Sequence, residues 1–408
     1  MSRQPELYQW IDTVVMRFSP LSKPQAVGLA LWSFGMILAR SCSLTAVADL
    51  LAPLTGRSFN SMRERLRDTY REAGAKAGDR RAELDVTLCW APWLAWILDG
   101  WAGTQRAIAI DATSPGGLFV VLAVSVVYRG CAVPVAWKIL KAGEQHAWKP
   151  EWQALLKQFR GLLPAGWTVL VLADRGLYAK WLFEAVVERG WHPFLRVNGQ
   201  GLFRPEGWFH WRPLSSFVPS KGKRWQGRGT AFNGRKSQWG CTLLACRGEE
   251  HKDPWRVLTD LPPGCADACW YGLRAWIEQS FKRCKRGGWQ WQHARMDDPA
   301  RAERLWMAIA IATGWLLSVG GEAEEQADTP LDIQAPTVPG AARRRGKRWR
   351  IVGIFQRGGS LIVAALLNHR LLPVKPGHPE GWPSLTEING PTLAICTEGG
   401  GGCENLHL

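Results

Sequence analysis

Apolar residues recur at helical spacing through Gln25–Arg40, and the pattern returns in Ser43–Leu51 and Ser58–Glu72, so residues 1–90 read as helical. Ser43 stands where the second helix needs an N-cap. Arg63, Arg65, Arg67 and Arg71 are strung along the third. Short helices joined by turns, the last one arginine-rich, suit either a DNA-reading helix-turn-helix or a plain bundle with a solvated basic face.

The pattern changes at Gln105. Ala107–Asp111 reads as a short apolar strand ending in an aspartate, and Leu118–Tyr128 as a buried strand. Arg129-Gly130 is a tight turn, and Ala132–Leu140 is the returning strand. A helix at Trp148–Leu163 leads to the strand Thr168–Ala173, which again runs into an aspartate, Asp174. A helix at Tyr178–Arg189 and a strand at His192–Val197 follow. Such alternation predicts a mixed sheet with helices on its faces. Residues 199–262 break it. They are rich in Gly, Trp, Arg and Lys, with strand-like pieces at Trp239–Ala245 and Trp255–Thr259, and read as an inserted, mostly β segment. Helices are predicted at Ala266–Arg286 and Ala300–Ser318, then a linker at Gly320–Pro339 and a basic run at Arg343–Arg350. Ile351–Leu371 reads as a short helical tail, with a poorly ordered end behind it.

With 408 residues, 46% of them apolar, the chain can bury a sizeable core and is globular. Its net charge of +16 favours a polyanionic partner. The excess is uneven: residues 201–300 hold 17 Lys and Arg against 9 acids, whereas residues 1–100 hold 12 against 10. No signal peptide is read at Met1–Pro20, and the apolar stretches Ala26–Ala39 and Leu305–Val319 are too short or interrupted to span a bilayer. With no secretion signal and the membrane option weak, a cytoplasmic protein with a nucleic-acid partner is expected. The ten cysteines then read as reduced thiols. Cys241, Cys246, Cys265 and Cys269 are spaced too loosely for a zinc ribbon. Most of the 25 tryptophans must serve packing, with a few available to stack on bases.

The chemistry gathers around Glu278. On a helix, Tyr271, Arg274, Glu278, Lys282 and Lys285 fall within an arc of roughly 80°. Leu273, Ile277, Phe281 and Cys284 take a separate, apolar face. An exposed helix with i, i+4 charge pairs would look the same. Two strand-end aspartates change the balance. If the strands of Asp111 and Asp174 are neighbours, both carboxylates leave one sheet edge, where Glu278 could face them. Three carboxylates would hold Mg²⁺ or Mn²⁺, and two such ions suit in-line phosphoryl transfer.

The Tyr-x2-Arg-x3-Glu-x6-Lys run, Asp111, and Asp174 in Val-Leu-Ala-Asp-Arg-Gly together resemble the IS-four family of bacterial DDE transposases. The resemblance covers roughly residues 105–318 and keeps every spacing of the signature. It implies an α/β fold with an RNase H-like catalytic core, a β-rich insertion between the second aspartate and the glutamate, and an N-terminal helical domain that reads terminal inverted repeats. The corresponding boundaries are 1–100 for the helical domain, 101–198 and 263–319 for the core, 199–262 for the insertion, 320–342 for a linker and 343–408 for a basic tail. It further implies that Asp111, Asp174 and Glu278 bind two Mg²⁺ or Mn²⁺ ions and are catalytic. Tyr271, Arg274 and Lys285 would contact phosphates of the transposon end, with Lys282 a further candidate. Trp255 would stack on a flipped base where cleavage passes through a hairpin, or be a buried strand residue. Lys221–Lys236 could follow the DNA backbone. The expected activity is cut-and-paste transposition by a homodimer acting on inverted repeats and target DNA. A transposase-derived, non-catalytic DNA-binding protein and a stand-alone metal-dependent nuclease are the alternatives.

Overall fold

Arg129 and Gly130 both take positive φ, 42° and 81°, and so form the two-residue turn whose twist matches paired strands. They join β2 (Phe119–Tyr128) to β3 (Cys131–Lys141). The ladder slips between Val124 and Ser125, opposite Pro134, a residue with no N–H to give a ladder. On its other side β2 pairs antiparallel with β1 (Gln105–Thr113). Next come β4 (Thr168–Ala173), parallel to β1, and β5 (His192–Arg196), parallel to β4. The order β3-β2-β1-β4-β5 is a mixed sheet that fits the expected RNase H-like core. The computed structural model describes residues 4–325 and 352–374, apart from 80, 102, 145, 146, 160 and 249–252.

The inserted segment supplies β6 (Leu202–Pro205), β7 (Arg212–Pro213), β8 (Arg224–Ala231), β9 (Trp239–Cys246) and β10 (Trp255–Thr259). It does not form a layer of its own. β10 pairs antiparallel with β5 through Val257 and Leu258, so the insertion carries the same sheet on to ten strands.

The N-terminal region holds α1 (Pro5–Arg17), α2 (Lys23–Ala39), α3 (Leu44–Thr55), α4 (Phe59–Tyr70) and α5 (Thr87–Leu98). Ser43 precedes α3 but makes no side-chain cap, whereas Ser22 closes a capping box with Gln25 at the start of α2. The arginines of α4 are largely engaged within the helix: Arg67 and Arg71 pair with Glu64 at 2.6 and 3.0 Å, and Arg71 also reaches Asp68.

After β3 come α6 (Trp148–Lys157), shorter than expected, and α7 (Lys180–Val187), which packs on β5. Beyond the insertion, α8 (Ala275–Lys282) crosses β3, β2 and β1. The helix α9 (Pro299–Glu325) runs past the expected linker start at Gly320. It is long and apolar enough to cross a bilayer, yet 94% of its apolar window is buried inside the protein, as a core helix should be. It joins the helical region to the sheet. Trp10 of α1 stacks on Trp315 with ring centroids 3.6 Å apart, Trp137 of β3 donates to the Glu303 carbonyl at 3.1 Å, and Arg304 donates to the Tyr70 carbonyl at 2.9 Å. α10 (Ile354–Leu367) lies so close across α9 that Gly320 and Gly358 meet backbone: a Cβ on Gly358 would collide with the Leu316 carbonyl. The basic run Arg343–Arg350 and the expected tail after residue 374 fall outside the described residues.

Candidate active site

The pairing of β1 with β4 decides where the aspartates lie. The parallel register matches Ile110 with Ala173, which sets Asp111 beside Asp174 at the carboxyl-terminal edge of the sheet. In open α/β sheets that edge is where sites are built. Asp111 is not the last residue of its strand as expected, since β1 continues to Thr113. Local backbone orients both side chains. Asp111 Oδ1 accepts from its neighbour Ala112 N at 2.9 Å, and Asp174 Oδ1 accepts from Gly176 N at 2.8 Å, an Asx turn after the strand. In each case Oδ2 is left to face inward.

The signature segment is helical but not one uniform helix. It opens with a 3₁₀ turn at Ala268–Arg274, continues as α8 and ends in a π turn at Arg283–Gly287. Asp267 caps the start by accepting from Cys269 N, and is itself held by Arg224 at 2.6 Å. In a 3₁₀ turn residues i and i+3 eclipse, so Tyr271 and Arg274 stack along one line. The apolar face is as expected: Leu273, Ile277, Phe281 and Cys284 are buried.

Arg274 gathers the three acids. Its Nη2 donates to Asp111 Oδ2 at 2.7 Å and lies 3.3 Å from Asp174 Oδ2, while Nη1 donates to Glu278 Oε1 one helical turn away. The guanidinium is only 11% exposed, as against 12% for the Asp111 side chain, 37% for Asp174 and 48% for Glu278. Burial pushes the Asp111 carboxyl above its ordinary value, Arg274 pulls it back and Asp174 adds to the rise. Burial also works against the charge on Arg274, but its acidic neighbours, Asp111 foremost, outweigh that and raise its pKa.

The other expected contacts are distributed around this centre. Tyr271 is buried, and burial lifts its phenol to about 12. Lys282 is exposed and Lys285 half-buried on the continuation of the same helix. Trp255, first residue of β10, is buried with its ring edge-on to Tyr271 at 5.4 Å, which is a packing position; stacking on a base would require the ring to be uncovered. One group escaped the sequence reading. Arg196 ends β5 next to Asp174 in register and places its guanidinium 5.7 Å from the Tyr271 ring. The signal was present, since Arg196 is a charged residue at the end of a core strand, level with Asp174.

The donors suit a hard divalent cation, since they are carboxylate oxygens from three separate stretches of chain. A cation already sits among them, and it is the guanidinium. Held around it, the carboxylates do not close on one point: among the described residues no three acidic, imidazole or thiol groups are near enough to share an ion. Metal binding at Asp111, Asp174 and Glu278 therefore requires Arg274 to withdraw. Among the described residues the cysteines likewise form no group of three with His, Asp or Glu that could hold a metal ion.

The family model of the transposase DDE domain matches residues 125–315. The matched span includes Asp174 and Glu278 and begins beyond Asp111. It supports a DDE transposase family for this chain. Comparison with curated protein sequences gives no match. Among solved structures, a cryo-EM structure of a piggyBac transposase synaptic complex with hairpin DNA is similar at 10% identity and a TM-score of 0.36, covering 76% of this chain and 73% of that one. That likeness is too distant to bear on the site.

Proposed function

We propose that this chain is a divalent-metal-dependent DNA transposase of the IS-four type, which cleaves at terminal inverted repeats and joins the freed ends to target DNA. The observation that carries the reading is the convergence of Asp111, Asp174 and Glu278 on one guanidinium. Acids from two strands and a helix that meet at a sheet edge are costly unless a cation pairs with them. The match to the transposase DDE domain supports the same chemistry.

In this reading the three carboxylates hold two Mg²⁺ or Mn²⁺ ions. When bound, the ions supply the positive charge that in-line displacement at phosphorus needs. The chain's own groups orient the DNA. Arg274, released from the acids, and Lys282 and Lys285 further along the helix would pair with phosphates, with Tyr271 beside them. Trp255 would take part only if DNA binding uncovers it. Lys221–Lys236 would track the backbone, the N-terminal helices would read the inverted repeat, and a homodimer would bring two ends together.

The test is nicking of supercoiled plasmid carrying the DNA that flanks the gene, with Mg²⁺ or Mn²⁺. Asp111→Asn, Asp174→Asn and Glu278→Gln should each abolish cleavage and retain DNA binding. Cleavage at the wild-type rate in any of the three refutes the assignment. Joined product separates a transposase from a nuclease that only hydrolyses.

A further inference from the structure

The β6–β7 hairpin carries aromatic residues where a strand-edge loop would ordinarily be polar. Its tip, residues 206–211, reads Glu-Gly-Trp-Phe-His-Trp. Phe209 is 92% exposed, the most exposed large apolar residue among those described. Trp208 and Trp211 flank it half-buried, and each faces a guanidinium: Arg212 lies 5.4 Å from the Trp208 ring and Arg204 5.0 Å from that of Trp211.

The tip stands on a rigid base. Phe203 of β6 is fully buried, edge-on to Phe217 and Trp225 at 5.7 and 5.9 Å. Gly207, with φ at 80°, makes the turn, Trp208 N donates to the Pro205 carbonyl, and Glu206 N donates to the Arg228 carbonyl at 2.9 Å. A fixed hairpin holding a bare phenyl ring into solvent has its ordering entropy already met, which favours binding through that ring. Charge indicates the partner. Between Arg196 and Lys236 the chain has nine Lys and Arg against one acid, Glu206. A surface of that sign repels basic protein patches, gains nothing by charge from neutral ones and attracts a phosphate backbone.

We infer that the β6–β7 tip is a DNA contact in which Phe209 wedges against a base step of duplex DNA while Arg204 and Arg212 hold the adjoining phosphates. Apolar wedges of this kind partly unstack a step and let more protein reach the helix. The inference rests on the proposed DNA-acting function but concerns binding, so it can fail while that function stands.

The experiment measures affinity of the full chain for a fluorescent duplex, and for the matching single strand, across a series of salt concentrations. Phe209→Ala should lower duplex affinity about tenfold and leave the slope of log K against log salt unchanged, since the ring carries no charge. Phe209→Tyr should restore it. Arg212→Gln should instead lower the slope by about one. An unchanged melting temperature shows that Phe209→Ala leaves the fold alone. Wild-type duplex affinity in Phe209→Ala overturns the inference. So does a loss confined to single strands, or a changed oligomeric state with DNA affinity intact, which would make the tip a protein contact. The nicking assay on Asp111→Asn reports separately on the function itself.

Discussion

Replacing Arg274 with Gln should make the metal-free protein less stable and its metal affinity higher. The pair with Asp111 dominates the first effect: both side chains are nearly buried and 2.7 Å apart. Removing one partner of a buried pair costs about 3–5 kcal/mol. The contacts to Asp174 and Glu278 are more exposed and, once screened, add about 0–1 kcal/mol each. Gln can still donate one hydrogen bond, so a net loss of about 3 kcal/mol is expected. The second effect follows from the same contacts. In the wild type an entering Mn²⁺ must first evict the guanidinium, whereas in Arg274→Gln the acids have no competing cation. If even 1.4 kcal/mol of the eviction cost is removed, Mn²⁺ binds about tenfold tighter. Calorimetric titration of Mn²⁺ into DNA-free protein reads the affinity, and a melting curve with and without Mn²⁺ reads the stability, which the ion should restore. Arg274→Lys keeps the charge but loses the fork and should fall between. A Kd for Mn²⁺ that is unchanged or weaker in Arg274→Gln would refute the argument, because it would mean that the ion binds without displacing the arginine.

Other outcomes are expected from particular contacts. Asp111 is held above the ordinary carboxyl value by burial, and metal binding needs its anion; Mn²⁺ affinity should therefore fall as pH drops through a value above 3.8, and calorimetry at stepped pH checks this. The same raised pKa means that the folded state binds more protons, so this group makes the metal-free fold more stable as pH falls into that range. Glu72 behaves oppositely: its hydrogen bond from Arg301 lowers it to about 2 from 4.5. Its contribution is present above 4.5 and disappears as pH falls through about 2. With the side chain 39% exposed, screening limits this to about 1 kcal/mol, and Glu72→Gln should flatten the acid limb of a stability–pH curve by that much. Gly358→Ala drives a Cβ into the α9 backbone and should destabilise by about 3 kcal/mol, seen as a lower urea midpoint.

The sequence made local elements legible where two signals agreed. Arg129-Gly130 between two apolar runs could only be a hairpin, and it is one. Strands that ran into Asp111 and Asp174 turned out to be parallel neighbours. Legibility ended where periodicity carried no information. α5, with the sequence Thr-Leu-Cys-Trp-Ala-Pro-Trp-Leu-Ala-Trp-Ile-Leu, is apolar on nearly every side and shows no stripe to mark its bounds. The joining of the insertion to β5 depends on two residues of β10 meeting partners some 60 positions earlier, a non-local pairing that no window along the chain can contain.

Arg274 shows why the site was legible only in part. The spacing of the signature put its side chain on the face of Glu278, and that holds: the two are paired one turn apart. What spacing could not give is the set of acceptors, because two of the three come from strands 163 and 100 residues away. Read alone, an arginine beside a glutamate is an ordinary surface pair or a phosphate ligand. Beside the strand-end aspartates, it is the one cation among the described residues that pairs with all three carboxylates at this sheet edge. The proposed phosphate role and the observed pairing with the acids would share one basis: a guanidinium fork matches carboxylate and phosphate alike. The side chain that holds the acids while no metal is bound is thus also suited to hold DNA once the acids have found another cation. The two roles exclude each other at any one moment, so metal and DNA should bind cooperatively. If Mn²⁺ fails to tighten DNA binding in the wild type, or tightens it equally in Arg274→Gln, the exchange does not occur.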